Sequence, residues 1–135
     1  MKTILPLAAL LIFVSSCKKE NIEVRQFYGT WEIRSATGFG PSLSQNYEPG
    51  SGTYIELKPD GTINRYENAT PTSSETFRIV KKDITACKWS TSNYLAIEYG
   101  SGSYEQIRVN GDTLRMSTPP CWEDGGTVIY VRMKK

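Results

Sequence analysis

The chain contains 135 residues, with 16 Lys and Arg against 14 Asp and Glu, and carries a formal net charge of +2. This near balance, without a concentrated basic stripe, argues against nucleic acid as a partner. The sequence has no histidine, which excludes His-based catalytic triads and His-ligated metal sites. We therefore predict a protein without enzymatic activity, catalytic residues, a metal or a cofactor.

The N-terminus has the pattern of a bacterial export signal. Lys2 precedes an apolar run of 11 residues, Ile4–Val14, which is too short to span a bilayer, since that takes about 20 residues. The ending Val14-Ser15-Ser16-Cys17 resembles the lipobox of bacterial lipoproteins. The resemblance implies cleavage before Cys17, a diacylglycerol on its sulfur and a fatty acyl group such as palmitate on its new N-terminus. The alternative is an ordinary signal peptide and a soluble secreted product.

These features divide the chain into three parts. We assign residues 1–16 to a lipoprotein signal peptide, residues 17–26 to the lipidated cysteine and a polar tether, and residues 27–135 to one folded domain. By resemblance to lipoprotein sorting, Lys18 implies anchoring in the outer membrane of the cell envelope. The anchor makes the membrane a predicted partner, and periplasmic and surface-exposed orientations both stay open.

Two cysteines remain once Cys17 is assigned to lipid. Cys87 and Cys121 would enter an oxidising compartment, where disulfides persist. They allow one intramolecular pairing, which would stabilise the fold by about 3–4 kcal/mol in the chain-entropy model. The alternative is a pair of buried free thiols.

From residue 27 onward, apolar and polar residues alternate with period two between turn signals, which predicts short strands. No window favours an amphipathic helix. The strongest turns are Pro59-Asp60-Gly61 and Asn110-Gly111, and the longest connections are Gly38–Gly52 and Thr118–Gly125. The predicted strands are Thr30–Thr37, Thr53–Lys58, Thr62–Tyr66, Glu75–Lys81, Tyr94–Tyr99, Ser103–Val109, Asp112–Ser117 and Gly126–Met133.

Eight such strands predict an all-β fold, an antiparallel up-and-down meander closed as a small barrel. Closure would leave no edge strand with unpaired backbone groups. A two-sheet β-sandwich is the rival architecture. An eight-stranded barrel has room for its own side chains or for one small ligand. The apolar residues predicted to face the interior are Ile55, Leu57, Phe77, Ile79, Leu95, Ile97, Ile107, Leu114, Met116 and Ile129.

The first predicted strand opens with Gly29-Thr30-Trp31, and a long loop follows it. This Gly-x-Trp pattern resembles the lipocalin-like fold, and YGTWEIRSATG followed by TYIELKPDGTINRYEN is similar to the small lipocalin-like domains of Gram-negative lipoproteins. The resemblance implies that Trp31 closes the bottom of the barrel and that Arg132 packs over it. The domain is shorter than a typical lipocalin and lacks the helix that usually follows the barrel, so a filled interior is an alternative.

Aromatic residues are the best candidates for binding. We predict ligand contacts at Phe39 and Tyr47 in the long first loop, at Phe77 and Tyr99 in strands, and at Trp122 beside Cys121. The predicted function is binding of a small apolar or amphipathic molecule. The alternative is an interaction module that binds a protein or glycan through its loops, with a filled barrel. An enzyme is the third class of function considered, and it would require converging polar groups that the sequence does not indicate.

Overall fold

The computed structural model describes residues 22–38, 44–83, 93–119 and 125–134. The predicted signal peptide, Cys17, Phe39, Cys87, Cys121 and Trp122 lie outside these residues. Across the described ranges, no helix is long and apolar enough to cross a membrane. The elements are α1 (Ile22–Arg25), β1 (Gly29–Thr37), β2 (Ser44–Asn46), β3 (Tyr54–Leu57), β4 (Thr62–Glu67), β5 (Thr70–Asp83), β6 (Asn93–Tyr99), β7 (Tyr104–Asn110), β8 (Thr113–Ser117) and β9 (Thr127–Arg132).

The strands form a closed antiparallel barrel. Apart from β2, each strand pairs with the next along the chain, in the order β1-β3-β4-β5-β6-β7-β8-β9. The barrel closes where β9 pairs with β1, from Arg132 beside Trp31 to Thr127 beside Thr37. The predicted all-β meander is therefore confirmed as a barrel rather than a sandwich, and closure gives every long strand two hydrogen-bonded neighbours.

Three local features differ from the prediction. The predicted loop Gly38–Gly52 contains the short strand β2, which pairs with the C-terminal end of β1. β5 begins at Thr70 rather than Glu75, and it pairs with β4 through its first half and with β6 through its second. The predicted tether ends in α1, a single helical turn whose Val24 and Arg25 carbonyls accept hydrogen bonds from Phe27 and Tyr28.

The pairing of β9 with β8 and β1 shows which residues of β9 face the interior, and a bulge in β1 changes which residues of β1 do so. The register between the two strands shifts between Ile33 and Ser35, so Arg34 is the extra residue. Tyr130 and Val128 align with the buried Leu114 and Met116, while Ile129 aligns with the exposed Arg115. The prediction of Ile129 as an interior residue is therefore wrong, because the last strand presents its other face to the core.

One end of the barrel, here called the base, is closed by packed side chains. Trp31 is fully buried there, and Phe27 packs beside it in the main core. The guanidinium of Arg132 lies 4.0 Å from the centroid of the Trp31 ring. The other predicted interior residues, Ile129 apart, lie in this core or pack against it: Ile55, Leu57, Phe77, Ile79, Leu95, Ile97, Ile107, Leu114 and Met116.

Candidate functional site

A cavity of about 500 Å³ lies at the end opposite the base, here called the mouth, where β1 and β8 end and β9 begins. Ala36, Met116 and Val128 give it an apolar wall. They share one face because Ala36 pairs with Val128, and Val128 pairs with Met116. The full lining among the described residues is Ala36, Thr37, Gly38, Ser44, Gln45, Glu105, Met116, Thr118, Gly126, Thr127 and Val128.

Glu105 is the one charged residue in this lining. It pairs with the fully buried Ile97 across the β6–β7 ladder and precedes the buried Ile107 by two residues, so its side chain points into the barrel. The Tyr99 hydroxyl donates a hydrogen bond to its carboxylate at 2.5 Å. A carboxylate therefore stands beside an apolar wall, and its polar contact comes from a buried phenol.

A second carboxylate and a partly buried guanidinium, those of Glu75 and Arg65, lie near Glu105 on the inner face of the barrel. Arg65 pairs with Ile55, and Glu75 pairs with Ile63, so both face inward. Their side chains form an ion pair at 2.5 Å, and the Arg65 guanidinium lies 5.3 Å from the centroid of the Tyr99 ring. Burial alone would lower the pKa of Arg65, but the hydrogen bond to Glu75 and the electrostatic interactions with Tyr99 and Glu75 outweigh it and raise that pKa.

Two tyrosines complete this polar cluster, which comprises Arg65, Glu75, Tyr99, Glu105 and Tyr130. Burial and the charge of Glu105 raise the pKa of Tyr130 to about 12, and they raise the pKa of Tyr99 well above its usual value. Both phenols therefore remain neutral hydrogen-bond donors at neutral pH. Within the part of the chain that the structure describes, no group of three or more Cys, Asp or Glu is placed to hold a metal ion.

The predicted ligand residues fall in different places. Tyr99 belongs to the polar cluster, and Tyr47 lies near enough to Tyr130 to interact with it electrostatically. Phe77 is buried in the core. Phe39 and Trp122 lie outside the described residues, so their predicted contacts stay predictions.

The sequence reasoning missed Glu105. Its signal was available, since it stands two residues before Ile107 and therefore shares the inward side of an alternating strand. Arg65 and Glu75 carry the same signal beside Ile63 and Phe77. None of the three was predicted to face the interior, because only apolar residues of these strands were considered as inward-facing.

A second concavity, of about 540 Å³, lies beside the base and is lined in part by Gly29, Leu57 and Arg132. The Arg132 guanidinium already has hydrogen-bond partners there, since it donates to the Tyr28 carbonyl at 2.8 Å and to the Gln26 carbonyl at 2.6 Å. The mouth combines a cavity with an acceptor that a ligand can reach, so it is the better candidate site.

The chain matches no protein-family model, and no curated protein shows significant similarity to it. Its described geometry is that of a small closed β-barrel with a packed base and a cavity at its mouth.

Proposed function

We propose that this protein is a lipid-anchored protein of the cell envelope whose barrel binds a small apolar or amphipathic molecule at its mouth. The observation that carries the proposal is the cavity of about 500 Å³ with its apolar wall. Ligand sites are typically concave, of roughly 300–1,000 Å³, and mostly apolar with a few placed polar groups. The anchoring rests on the Val14–Cys17 junction, and the role is one of binding rather than catalysis.

The packed base limits where a ligand fits. Trp31, Leu57, Ile63, Ile97 and Leu114 have at most 1% of their surface exposed and belong to one packed core, whereas the cavity of about 500 Å³ lies at the mouth. A ligand would therefore occupy the mouth, against Ala36, Met116 and Val128, rather than the whole length of the barrel.

An interaction module remains the second candidate, and one feature of the outer surface favours it. Tyr54 and Tyr66, directly paired on β3 and β4, stack with ring centroids 4.4 Å apart and an interplanar angle of 16°. Paired aromatic rings on a sheet surface suit the face of a sugar or an apolar side chain of a partner protein.

The test is a calorimetric titration of the Cys17→Ser protein, purified without detergent, with neutral apolar and amphipathic molecules. Ala36→Phe places a ring in the cavity and should weaken saturable binding by tenfold or more (about 1.4 kcal/mol). Ser35→Phe is the matched control, because Ser35 pairs with Ile129 and shares the outer face of the barrel with it.

Binding that is lost in Ala36→Phe and kept in Ser35→Phe supports the mouth as the site. Binding that survives Ala36→Phe contradicts it. If no molecule binds saturably to the parent protein, the ligand-binding proposal fails. Loss of glycan or partner binding in Tyr66→Ala would then support the interaction module.

A further inference from the structure

The charges inside the barrel do not balance. The polar cluster contains one guanidinium, that of Arg65, and two carboxylates, those of Glu75 and Glu105. Arg65 is committed to Glu75 through their ion pair. Among the described residues, Glu105 has no ion-pair partner and accepts its hydrogen bond from neutral Tyr99.

Arg132, a cation on the inner face of β9, is held at the base, the end of the barrel opposite Glu105. Arg132 stacks over Trp31 and donates to two backbone carbonyls at the base. It is therefore fixed in place and is not available to Glu105. The carboxylate that lines the mouth cavity carries a negative charge that the described barrel does not neutralise.

We propose that the mouth cavity selects an amphipathic cation, with an apolar body against Ala36, Met116 and Val128 and a protonated amine on the Glu105 carboxylate. This inference rests on the proposed function, because it names the chemical class of ligand for the same cavity. An ammonium group is a strong donor to a carboxylate, and such charge-assisted bonds are about twice as strong as neutral ones.

The same geometry disfavours anionic amphiphiles such as fatty acids. A ligand carboxylate at this depth would meet Glu105 beside an apolar wall, where partial exclusion of water strengthens repulsion between like charges. Neutral Tyr99 offers no compensating charge, and its hydroxyl hydrogen is already given to Glu105. A neutral alcohol of equal length is neither attracted nor repelled as an ion by Glu105, so its affinity measures the apolar contribution alone.

The experiment compares octylamine, octanol and octanoate, three ligands with the same chain length and different head groups. Calorimetric titration of the Cys17→Ser protein at neutral pH should rank octylamine about tenfold tighter than octanol, with octanoate weakest. This ranking is measured on an intact barrel, so it decides the proposal even if a variant of the interior fails to fold.

Two variants assign the preference to its carboxylate. Glu105→Gln should bring octylamine down to the affinity of octanol while octanol binding stays unchanged. Glu67→Gln is the matched control: it removes the same unit charge from an exposed position at the end of β4, and it should leave the tenfold preference intact.

Each outcome separates the two proposals. Octanoate binding as tightly as octylamine, or an amine preference that persists in Glu105→Gln, overturns the cation assignment and leaves the mouth as a ligand site. Binding of none of the three molecules, or binding that Ala36→Phe does not weaken, contradicts the proposed function itself.

Discussion

At the scale of single residues, Trp31 ties the two ends of the chain together. Its indole N–H donates to the Phe27 carbonyl at 2.8 Å, and the Arg132 guanidinium stacks on its ring. The same guanidinium reaches the carbonyls of Gln26 and Tyr28. These contacts join the first strand, the last strand and the segment that precedes β1, and together they close the base of the barrel.

This closure predicts energetic coupling between Trp31 and Arg132. Trp31→Ala should cost about 3–5 kcal/mol because it empties a fully buried aromatic position. In a double-mutant cycle of Trp31→Leu with Arg132→Met, we expect a coupling energy of about 0.5–2 kcal/mol from the stacked cation. Urea unfolding of the four proteins measures it, and simple additivity of the two single changes would contradict the stacking role.

Single residues also mark where sequence reasoning succeeded and where it stopped. The resemblance led to Trp31 and Arg132 because a Gly-x-Trp start and an Arg on the last strand are visible in the sequence. Glu105, Arg65 and Glu75 were missed because alternation was interpreted as apolar inside and polar outside. The inner surface of this barrel is polar toward the mouth, where partly buried charged side chains pair with one another and with Tyr99.

At the scale of elements, the hairpin between β4 and β5 carries backbone strain. Its two turn residues, Asn68 and Ala69, have φ angles of 50° and 60°. Both central residues of this turn require positive φ, which matches the twist of the flanking strands. Asn tolerates that region, whereas Ala adopts it at a cost of about 1 kcal/mol.

Ala69→Gly should therefore stabilise the protein by about 0.5–1 kcal/mol, because glycine adopts positive φ without the Cβ clash. The hydrogen bond from the Ala69 N–H to the Gly52 carbonyl, at 2.9 Å, is kept. The measurement is the urea midpoint at constant slope. Ala96→Gly, at a fully buried position in β6, is the control and should destabilise. A lower midpoint for Ala69→Gly would contradict the strain.

Elements were predictable where turn chemistry punctuates them. Pro59–Gly61 and Asn110-Gly111 stand at observed turns, with Gly61 and Gly111 at positive φ. The early start of β5 was hidden because Thr70–Ser74 lacks apolar alternation and pairs along an exposed edge of the hairpin. The bulge at Arg34 was equally hidden, since an extra residue leaves no local pattern, and it places Ala36 rather than Ser35 on the inner face.

At the scale of the whole molecule, the two ends of the barrel have different chemistry. The base is closed by aromatic and apolar side chains, and the chain leads from α1 into β1 there. The mouth holds the cavity and Glu105. Four residues lie between Cys17 and Ile22, so the Cα atoms of these two residues are at most about 18 Å apart in an extended chain. An anchor at Cys17 would therefore join the barrel at its base and leave the mouth at the far end.

Lipid anchoring at Cys17 predicts that membrane attachment depends on this one residue. Cys17→Ser should move the protein from the membrane pellet to the soluble fraction, because several acyl chains hold a protein stably whereas an unmodified N-terminus does not. Fractionation with incorporation of a labelled fatty acid measures both effects. Cys121→Ser is the matched control, since it makes the same change of cysteine to serine away from the anchor, and the variant should stay with the membrane. Equal membrane retention of Cys17→Ser and the parent protein would exclude lipid anchoring at this residue.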